Sequence, residues 1–302
     1  MSTTPVTVGI LGLGLVGHAL ALRLQAFGHR VTGFDPSPAA QSAARASGIA
    51  VAVAPQELTA RCEVILVCVL DDAMLSSCIH TIAVQPGMVK LILSCVTASV
   101  QATEEALALI QSRQLDFADM PLLGSSRQIG QGEALGLLGS SDSLLDHWSA
   151  LLADICPRYR HVGKAGYGVR AKLACNLVLG LNRAALAEGL ALATTLGLDG
   201  TDFLGLLRDS PAYSRAVDVA GPRMVARDFT PASRIRQHRK DLALILQQGE
   251  HAGLNLSLTT AHAELLDRAI AQGLGDQDNV AVIAAILSGS SSTTPPTSGQ
   301  PS

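Results

Sequence analysis

The sequence predicts an α/β domain with a doubly wound parallel sheet, followed by an all-α domain. Through about residue 163, short apolar runs alternate with helical patterns. This alternation is typical of parallel strands joined by crossover helices that cover both faces of a sheet. Beyond that point the strand signals disappear and only helical patterns remain. With 302 residues and 48% hydrophobic content, the chain is large enough for two domains and a large core.

The predicted strands of the first domain are short and apolar. The run 63–69 shows no alternation of apolar and polar residues, which indicates a central strand buried on both faces. The remaining strand candidates are 6–11, 30–34, 49–53, 89–94, 115–119 and 134–138. Helices with right-handed crossovers are predicted between them at 15–27, 37–47, 56–61, 72–79 and 99–113.

The second domain is predicted to be helical throughout. A long pattern runs from Gly168 to about Leu196, and further helical patterns occupy 200–208, 213–227, 234–251, 256–273 and 277–287. Gly197, Gly253 and Gly273 stand where helices are expected to end. We therefore predict domains over 1–162 and 163–287. Residues 288–302 offer only Ser, Thr, Pro, Gly and Gln, so we predict a disordered tail there.

A glycine-rich segment links the first predicted strand to the first predicted helix. Its sequence is Gly12-Leu13-Gly14-Leu15-Val16-Gly17, and Asp35 ends the second predicted strand. The first glycine permits a tight turn, the second lets the backbone approach a pyrophosphate, and the third lets helix and strand pack closely. The helix N-terminus supplies N–H groups and a positive dipole end for phosphates. This order predicts a dinucleotide site of the Rossmann type; the alternative is glycines that serve only a tight turn.

Asp35 also bears on the choice of dinucleotide. Its carboxylate can accept both ribose hydroxyls and repels a 2′-phosphate, and the following Pro36-Ser37-Pro38 contains no arginine to hold one. NAD is therefore predicted rather than NADP. The alternative stays open because Arg30 and Arg45 can reach the ribose from elsewhere.

The composition excludes several classes of partner. A formal net charge of −3 and an aromatic content of 3% give no electrostatic drive or stacking surface for nucleic acid or for an anionic membrane. The apolar stretch 173–196 contains Asn176, Asn182, Arg183 and Glu188, which favour a buried helix of a soluble protein over a membrane span.

Cysteine usage and the N-terminus indicate a cytoplasmic protein. The six cysteines form no C-x-x-C pair and mostly lie in apolar runs, as expected of small core residues. The N-terminus lacks the basic and apolar regions of a secretory signal. Because His and Cys never cluster at metal-ligand spacing, no metal site is predicted.

A second informative segment opens the helical domain. It runs from Gly163 to Asn176 and has the pattern G-x-x-G-x-G-x-x-x-K-x-x-x-N. Lys172 and Asn176 are therefore predicted to lie on one helix face, about 6 Å apart along the axis. Apolar neighbours would partly desolvate the lysine and favour its neutral form, which suits proton transfer. The alternative is a surface lysine, and Arg183, about 16 Å further on, is predicted to pair structurally.

These segments together resemble the β-hydroxyacid dehydrogenase family, the group of 3-hydroxyisobutyrate dehydrogenase, tartronate semialdehyde reductase and L-threonate dehydrogenase. The resemblance covers about residues 6–287. It is carried by the glycine loop, by the substrate-motif segment Asp119-Met120-Pro121-Leu122-Leu123-Gly124-Ser125, by the Gly163–Asn176 pattern, by Lys240-Asp241-Leu242, and by Gly275-Asp276-Gln277-Asp278-Asn279.

The resemblance implies hydride transfer between NAD and a hydroxy acid, with Lys172 moving the hydroxyl proton and Asn176 orienting the substrate. Lys240 would contact the substrate and the nicotinamide end, and backbone N–H groups around Gly124 and Ser125 would hold the carboxylate. Thr97 would lie against the cofactor, and Leu70 is a further predicted cofactor-binding residue. The helical domain implies a homodimer or homotetramer.

Two departures from the family pattern put the substrate in doubt. Leu123 stands where the family motif has a serine, and Ser125 or Ser126 is a candidate replacement. The segment Ser94-Cys95-Val96-Thr97 also lacks a family serine, although its threonine is present. Two alternatives remain: an imine reductase on the same scaffold, against which Lys172 and Asp35 argue, and a dinucleotide-binding module without catalysis.

Overall fold

The computed structural model describes residues 4–289 of the chain. Contacts between residues divide the chain into two compact units, Met1–Ala174 and Cys175–Ser302. The domain boundary predicted at 162/163 comes earlier in the chain than this division, and it stays a prediction.

The first unit contains a nine-stranded sheet in the order β3-β2-β1-β4-β5-β6-β8-β7, with β9 beside β8. Its strands are β1 (Thr7–Leu11), β2 (Arg30–Phe34), β3 (Ala50–Val51), β4 (Val64–Val67), β5 (Leu91–Ser94), β6 (Asp116–Asp119), β7 (Leu122–Leu123), β8 (Leu135–Gly139) and β9 (Tyr159–Gly163). Strands β1 to β6 pair in parallel, which confirms the predicted doubly wound architecture.

The sheet is parallel from β1 to β6, as predicted, and antiparallel at one edge. Strand β8 runs antiparallel to both β6 and β7. The pairs Asp119–Gly139, Leu122–Gly136 and Leu123–Leu135 keep one register, so β7 continues β6 along β8 and Met120 and Pro121 interrupt a single antiparallel pairing. The sequence patterns did not predict β7 or β9.

The helices of the first unit pack on both faces of the sheet. They are α1 (Leu15–Ala26), α2 (Pro38–Ala46), α3 (Pro55–Arg61), α4 (Asp72–Val84), α5 (Val100–Gln111), α6 (Ser126–Gln131) and α7 (Asp142–Ile155). Neighbouring residues of one strand enter different cores: Ile10 joins one buried cluster and Leu11 the other. Strand β4 is buried along its whole length, as its unbroken apolar run predicted. Helices α6 and α7 were not predicted.

The helix α8 (Tyr167–Thr195) begins in the first unit and continues into the second. Within residues 4–289 it is the one helix with the length and composition of a membrane span, and 39% of its most apolar window is buried in the structure. A core helix of a soluble protein meets the same criterion, so length and composition alone do not indicate a membrane.

The described part of the second unit is helical, apart from a single bridge between Arg234 and Asp278. Its helices are α9 (Gly200–Arg208), α10 (Arg215–Val219), α11 (Gly221–Val225), α12 (Ile235–His251), α13 (Ser257–Ala271), a 3-10 turn (Asn279–Ala281) and α14 (Val282–Gly289). Gly197, Gly253 and Gly273 follow the ends of α8, α12 and α13 with positive φ, as predicted.

Two predictions for this unit need correction. The single helix predicted over 213–227 is divided at Ala220 into α10 and α11, and Pro222 at the start of α11 lacks the N–H that a continuous helix would use. The predicted tail began at Ser288, but α14 extends to Gly289. The rest of the predicted tail lies outside the described residues.

Candidate active site

The glycine loop after β1 has the geometry that close approach of a pyrophosphate requires. Gly12 has a φ of +95°, and an added Cβ there would come within 2.5 Å of the Cys68 carbonyl oxygen. An added Cβ at Gly17 would collide with the carbonyl of Gly12. Gly14 has no neighbouring atom within 4 Å of such a position, and no side chain caps the N-terminus of α1. The uncapped N–H groups and the open space above them fit a dinucleotide phosphate.

Asp35 is held beside this loop at the carboxyl end of β2. One carboxylate oxygen accepts the Leu13 N–H at 2.8 Å and the other accepts the Ser37 N–H at 2.8 Å. Each oxygen keeps a lone pair for a further donor, as a ribose hydroxyl requires. The side chain is half-buried.

Arg30 and Arg45, which kept NADP as an alternative cofactor, lie at different places in the first unit. Arg30 lies at the opposite end of β2 from Asp35. Arg45 lies in the last turn of α2 and donates to the Gln41 side chain at 3.1 Å. Gln41 in turn donates to the carbonyl oxygen of Asp35 at 2.8 Å, so Arg45 is linked to the acidic residue through one side chain.

Leu70 and Thr97 follow neighbouring strands at the same edge of the sheet as the glycine loop. Leu11, Val67 and Ser94 are register partners at the ends of β1, β4 and β5. Asp72 ties the two loops together because its carboxylate accepts the Ser99 N–H at 2.8 Å. Leu15 and Val16 form the first turn of α1 at this edge. The predicted cofactor residues of the first unit therefore share one edge, whereas Lys240 lies in the second unit, and the contacts of all of them with a dinucleotide stay a prediction.

The substrate-motif segment forms the turn from β7 into α6. Ser125 caps α6: its hydroxyl accepts the Gln128 N–H at 3.3 Å, and its own N–H donates to the Gln128 side chain at 2.9 Å. Both polar groups of Ser125 thus have a structural role, which weakens its case as the replacement for the missing serine. Leu123 is half-buried and Gly124 is exposed.

Lys172 is buried in the first unit. The residue is only 8% exposed, and its Nζ donates to the Leu122 carbonyl oxygen at 2.6 Å. The carbonyl belongs to the same substrate-motif segment that carries Leu123. A buried lysine with a fixed amine is rare in proteins unless it has a partner or a function, so the burial supports the predicted proton-transfer role.

Asn176 lies one helical turn after Lys172 in α8 and is also buried. In the second unit its amide donates to Asp241 Oδ2 at 3.0 Å, and Lys240 Nζ lies 3.3 Å from Asp241 Oδ1. Asp241 was not predicted as a site residue. Its neighbour Lys240 was, and the Lys240-Asp241 pair of α12 was the available sequence signal.

A buried histidine pair packs further along the same face of α8. The rings of His238 and His262 lie 5.2 Å apart, and a Cβ at Gly180 would come within 2.6 Å of His238 Nε2. Burial, together with the positive charge of Arg183, lowers the pKa of His262 from 6.5 to about 4. His238 is only 6% exposed and is likewise a core residue. Burial lowers the pKa of Arg183 and the Asp278 carboxylate opposes this shift, while the structural pairing of Arg183 stays a prediction.

No group of three His, Cys, Asp or Glu side chains suited to a metal ion occurs among residues 4–289.

The sheet and the glycine loop define a dinucleotide-binding oxidoreductase with a helical second unit. A model of the NAD binding domain of 6-phosphogluconate dehydrogenase matches residues 7–163. A second model, described as NAD-binding of NADP-dependent 3-hydroxyisobutyrate dehydrogenase, matches residues 166–286. The chain belongs to the β-hydroxyacid dehydrogenase family, whose members are NAD(P)-dependent enzymes.

Named relatives cover almost the whole chain. A probable 3-hydroxyisobutyrate dehydrogenase of Mycobacterium tuberculosis is 28% identical over 92% of this chain and 96% of its own. The L-threonate dehydrogenase of Cupriavidus necator is 28% identical over 91% of this chain and 94% of its own. The structure of Mycobacterium tuberculosis 3-hydroxyisobutyrate dehydrogenase with L-serine is similar at a TM-score of 0.84, with 27% identity, over 94% of this chain and 99% of that one.

Proposed function

We propose that this protein transfers a hydride between NAD and the CH–OH group of a small hydroxy acid. The acid would resemble 3-hydroxyisobutyrate, tartronate semialdehyde or its reduced form glycerate, or threonate. The observation that carries the proposal is the buried Lys172, whose amine is fixed 2.6 Å from the Leu122 carbonyl oxygen. Asn176, one helical turn away, adds the polar partner that a hydroxyl group needs.

Lys172 would serve as the acid–base group. When bound, NAD supplies the acceptor for the hydride, which leaves the hydroxyl proton to be taken by a base. A neutral amine can donate one N–H to Leu122 and still offer its lone pair to that proton. In the reverse direction, the ammonium returns the proton to the carbonyl oxygen of the substrate.

Asn176 would orient the substrate, with Asp241 holding its amide. The contact at 3.0 Å with Asp241 fixes which way the Asn176 amide faces, so its oxygen and second N–H keep one direction. Lys240, paired with the same carboxylate at 3.3 Å, would contact the substrate and the nicotinamide end. Gly124 would contribute a backbone N–H to the carboxylate.

NAD is the cofactor we propose. The chain carries NAD(P)-binding domains, and the matched models do not separate the two dinucleotides because one of their descriptions names an NADP-dependent enzyme. The placement of Asp35 beside the glycine loop supports NAD. Arg45 already donates to Gln41, and Arg30 lies at the far end of its strand.

The two alternatives make different demands on these residues. An imine reductase without an acid–base lysine would leave no reason to bury Lys172, and a module that only binds dinucleotides would not need the Lys172–Asn176 pair. We also propose a cytoplasmic homo-oligomer, in keeping with the helical second unit.

A substrate panel tests the proposal directly. NADH fluorescence is followed with the purified protein and a set of three- and four-carbon hydroxy acids. Turnover of at least one acid that disappears in Lys172→Ala, while NADH still binds, supports the proposal. Lys90→Ala, which removes an exposed lysine of the same unit, is the matched control and should keep full activity. NADH binding without turnover of any acid would favour the binding module.

A further inference from the structure

The first residue of the substrate-motif segment is almost completely buried. Asp119 ends β6 and is only 1% exposed. Its Oδ1 accepts the Gly166 N–H at 2.5 Å and its Oδ2 accepts the Val169 N–H at 2.6 Å. Both donors stand at the beginning of α8, the helix that carries Lys172. The carboxylate therefore caps this helix from a strand that lies far away in the sequence.

The same segment holds α8 at a second point. Three residues after Asp119, the Leu122 carbonyl accepts the amine of Lys172. The short stretch from Asp119 to Leu122 thus binds the helix both at its first turn and at the catalytic side chain. A shift of the first turn along the helix axis would move the amine relative to this carbonyl.

Two glycines leave the space that the Asp119 carboxylate occupies. An added Cβ at Gly168 would come within 2.7 Å of Asp119 Oδ2, and one at Gly139 would collide with Oδ1. Two glycines on two different elements therefore leave the space that the carboxylate fills. Arg170 donates to the Gly166 carbonyl at 2.7 Å, which secures the same turn from its other side.

Burial and the hydrogen bonds at the start of α8 act on the pKa of Asp119 in opposite directions. Burial raises the pKa of its carboxyl to about 6, while the Gly166 and Val169 N–H groups and the positive Arg170 act in the opposite direction. At neutral pH the group is thus ionised, and an anion at a helix N-terminus forms charge-assisted hydrogen bonds with the free N–H groups.

We infer that Asp119 is a positioning residue for catalysis, which fixes the start of α8 so that Lys172 meets the substrate, and that it is not a substrate ligand. This inference rests on the proposed function for its kinetic consequence. Its structural part concerns the fixed amine of Lys172 and is measurable without any substrate.

The test compares Asp119→Asn with Asp154→Asn. The first variant keeps the shape of the side chain but leaves one oxygen where two N–H groups need acceptors. The second removes the charge of another buried aspartate of the same unit, which contacts His29 at 3.1 Å, and serves as the control for general destabilisation. Each protein is treated with a trace of acetic anhydride, and mass spectrometry gives the labelling of Lys172 relative to the exposed Lys90.

In the wild type, Lys172 should be labelled slowly. In Asp119→Asn its relative labelling should rise about tenfold, because a lost hydrogen bond to a charged group frees the helix start. The kcat on the best acid should fall about a hundredfold, as expected when a catalytic group is displaced by about 1 Å, with the Kd of NADH unchanged. Asp154→Asn should leave both the labelling ratio and kcat as in the wild type.

Three results would overturn the inference: unchanged labelling and kcat in Asp119→Asn, equal changes in the control, or a rise in substrate KM at constant kcat. If Asp119→Asn does not fold, Val169→Pro removes one donor in the first helical turn, where proline is tolerated, and should give the same increase in labelling. If the wild type turns over no acid, the proposed function fails, and the labelling ratio still decides the role of Asp119.

Discussion

At the scale of single residues, each proposed role depends on a hydrogen bond that fixes a side chain. Lys172 is fixed by the Leu122 carbonyl, and Asn176 by Asp241. Asp35 is fixed by two backbone N–H groups of the cofactor edge. Single substitutions at Asp35 and Leu123 test the cofactor and the substrate separately.

Asp35→Ala should weaken NAD binding by about ten- to a hundredfold, because the ribose loses a hydrogen bond to a charged acceptor. NADP binding should change less, since the same substitution removes the repulsion of a 2′-phosphate, and the preference between the cofactors should narrow. Titration calorimetry with both cofactors measures this. Asp35→Asn, which keeps one acceptor oxygen, should lie between the two proteins. Unchanged constants in Asp35→Ala would remove the argument for NAD.

Leu123→Ser should change which acid is preferred more than it changes cofactor affinity. The side chain lies beside Leu122, whose carbonyl holds the amine of Lys172, so a new hydroxyl there would add a polar partner near the substrate carboxylate. We expect kcat/KM ratios between acids to shift about tenfold, the size of one hydrogen bond. Steady-state kinetics on the same panel checks this. A uniform loss on every acid would indicate damage to the loop instead.

At the scale of elements, one face of α8 in the second unit carries three residues that lie beside polar or charged groups of other elements. Asn176, Gly180 and Arg183 recur at intervals of four and three residues, which places them on one helix face. Asn176 donates a hydrogen bond to Asp241, and Gly180 leaves space for the rings of His238 and His262. The Asp278 carboxylate acts on the pKa of Arg183. Because burial lowers the pKa of His262 to about 4, this histidine makes the stability of the unit dependent on pH.

The folded protein should lose stability between about pH 6.5 and 4 through His262. Because burial lowers its pKa from 6.5 to about 4, the folded state binds the proton less tightly than the unfolded state. The associated stability is therefore full above pH 6.5 and is lost as pH falls through 4, by about 3 kcal/mol for this shift. His262→Gln should reduce that loss by a similar amount.

Urea unfolding of both proteins at several pH values measures the difference. Asp119 titrates with the opposite sign: its pKa is raised to about 6, so its contribution falls as pH rises. The comparison of wild type with His262→Gln cancels this term, since both proteins keep Asp119. Parallel curves for the two proteins between pH 6.5 and 4 would contradict the prediction.

Most helices and strands with a clear local sequence pattern were predicted correctly, and those without one were not. The strand β2 and the helix α9 begin and end where the sequence placed them. Strand β7 has two residues, too few for a periodic pattern, and the polar β9 is held by its pairing with β8. Helix α7 had a readable signal in its Ser141 cap and its apolar spacing, and it was missed.

The candidate site shows the same difference between residues in local motifs and residues whose roles depend on long-range contacts. Lys172 and the glycine loop stand in spaced motifs, and their roles could be predicted from these. The roles of Asp119 and Asp241 depend on contacts with residues about fifty or more positions away, which no local pattern of one sequence encodes. The substrate contact of Ser125 stays a prediction, and the structure adds a capping role at the start of α6.

At the scale of the whole molecule, the exposed face of α8 is unusually apolar for a surface. Val178 is 55% exposed and Leu192 is 61% exposed. Cys175, Asn182 and Ala185 continue the same exposed stripe at intervals of three and four residues. Such a stripe would be covered by a second copy of the chain in the homo-oligomer that we propose.

Val178→Glu should therefore shift the protein toward the monomer, because the interface would have to bury an unpaired charge. Val84→Glu introduces the same charge at a residue that is 79% exposed near the end of α4, outside the stripe, and should keep the assembly of the wild type. Analytical ultracentrifugation at several protein concentrations gives the mass of each. If the two variants sediment alike, or if the wild type is already a monomer, the exposed face of α8 is not the contact between copies, and the stripe must be explained by a different partner.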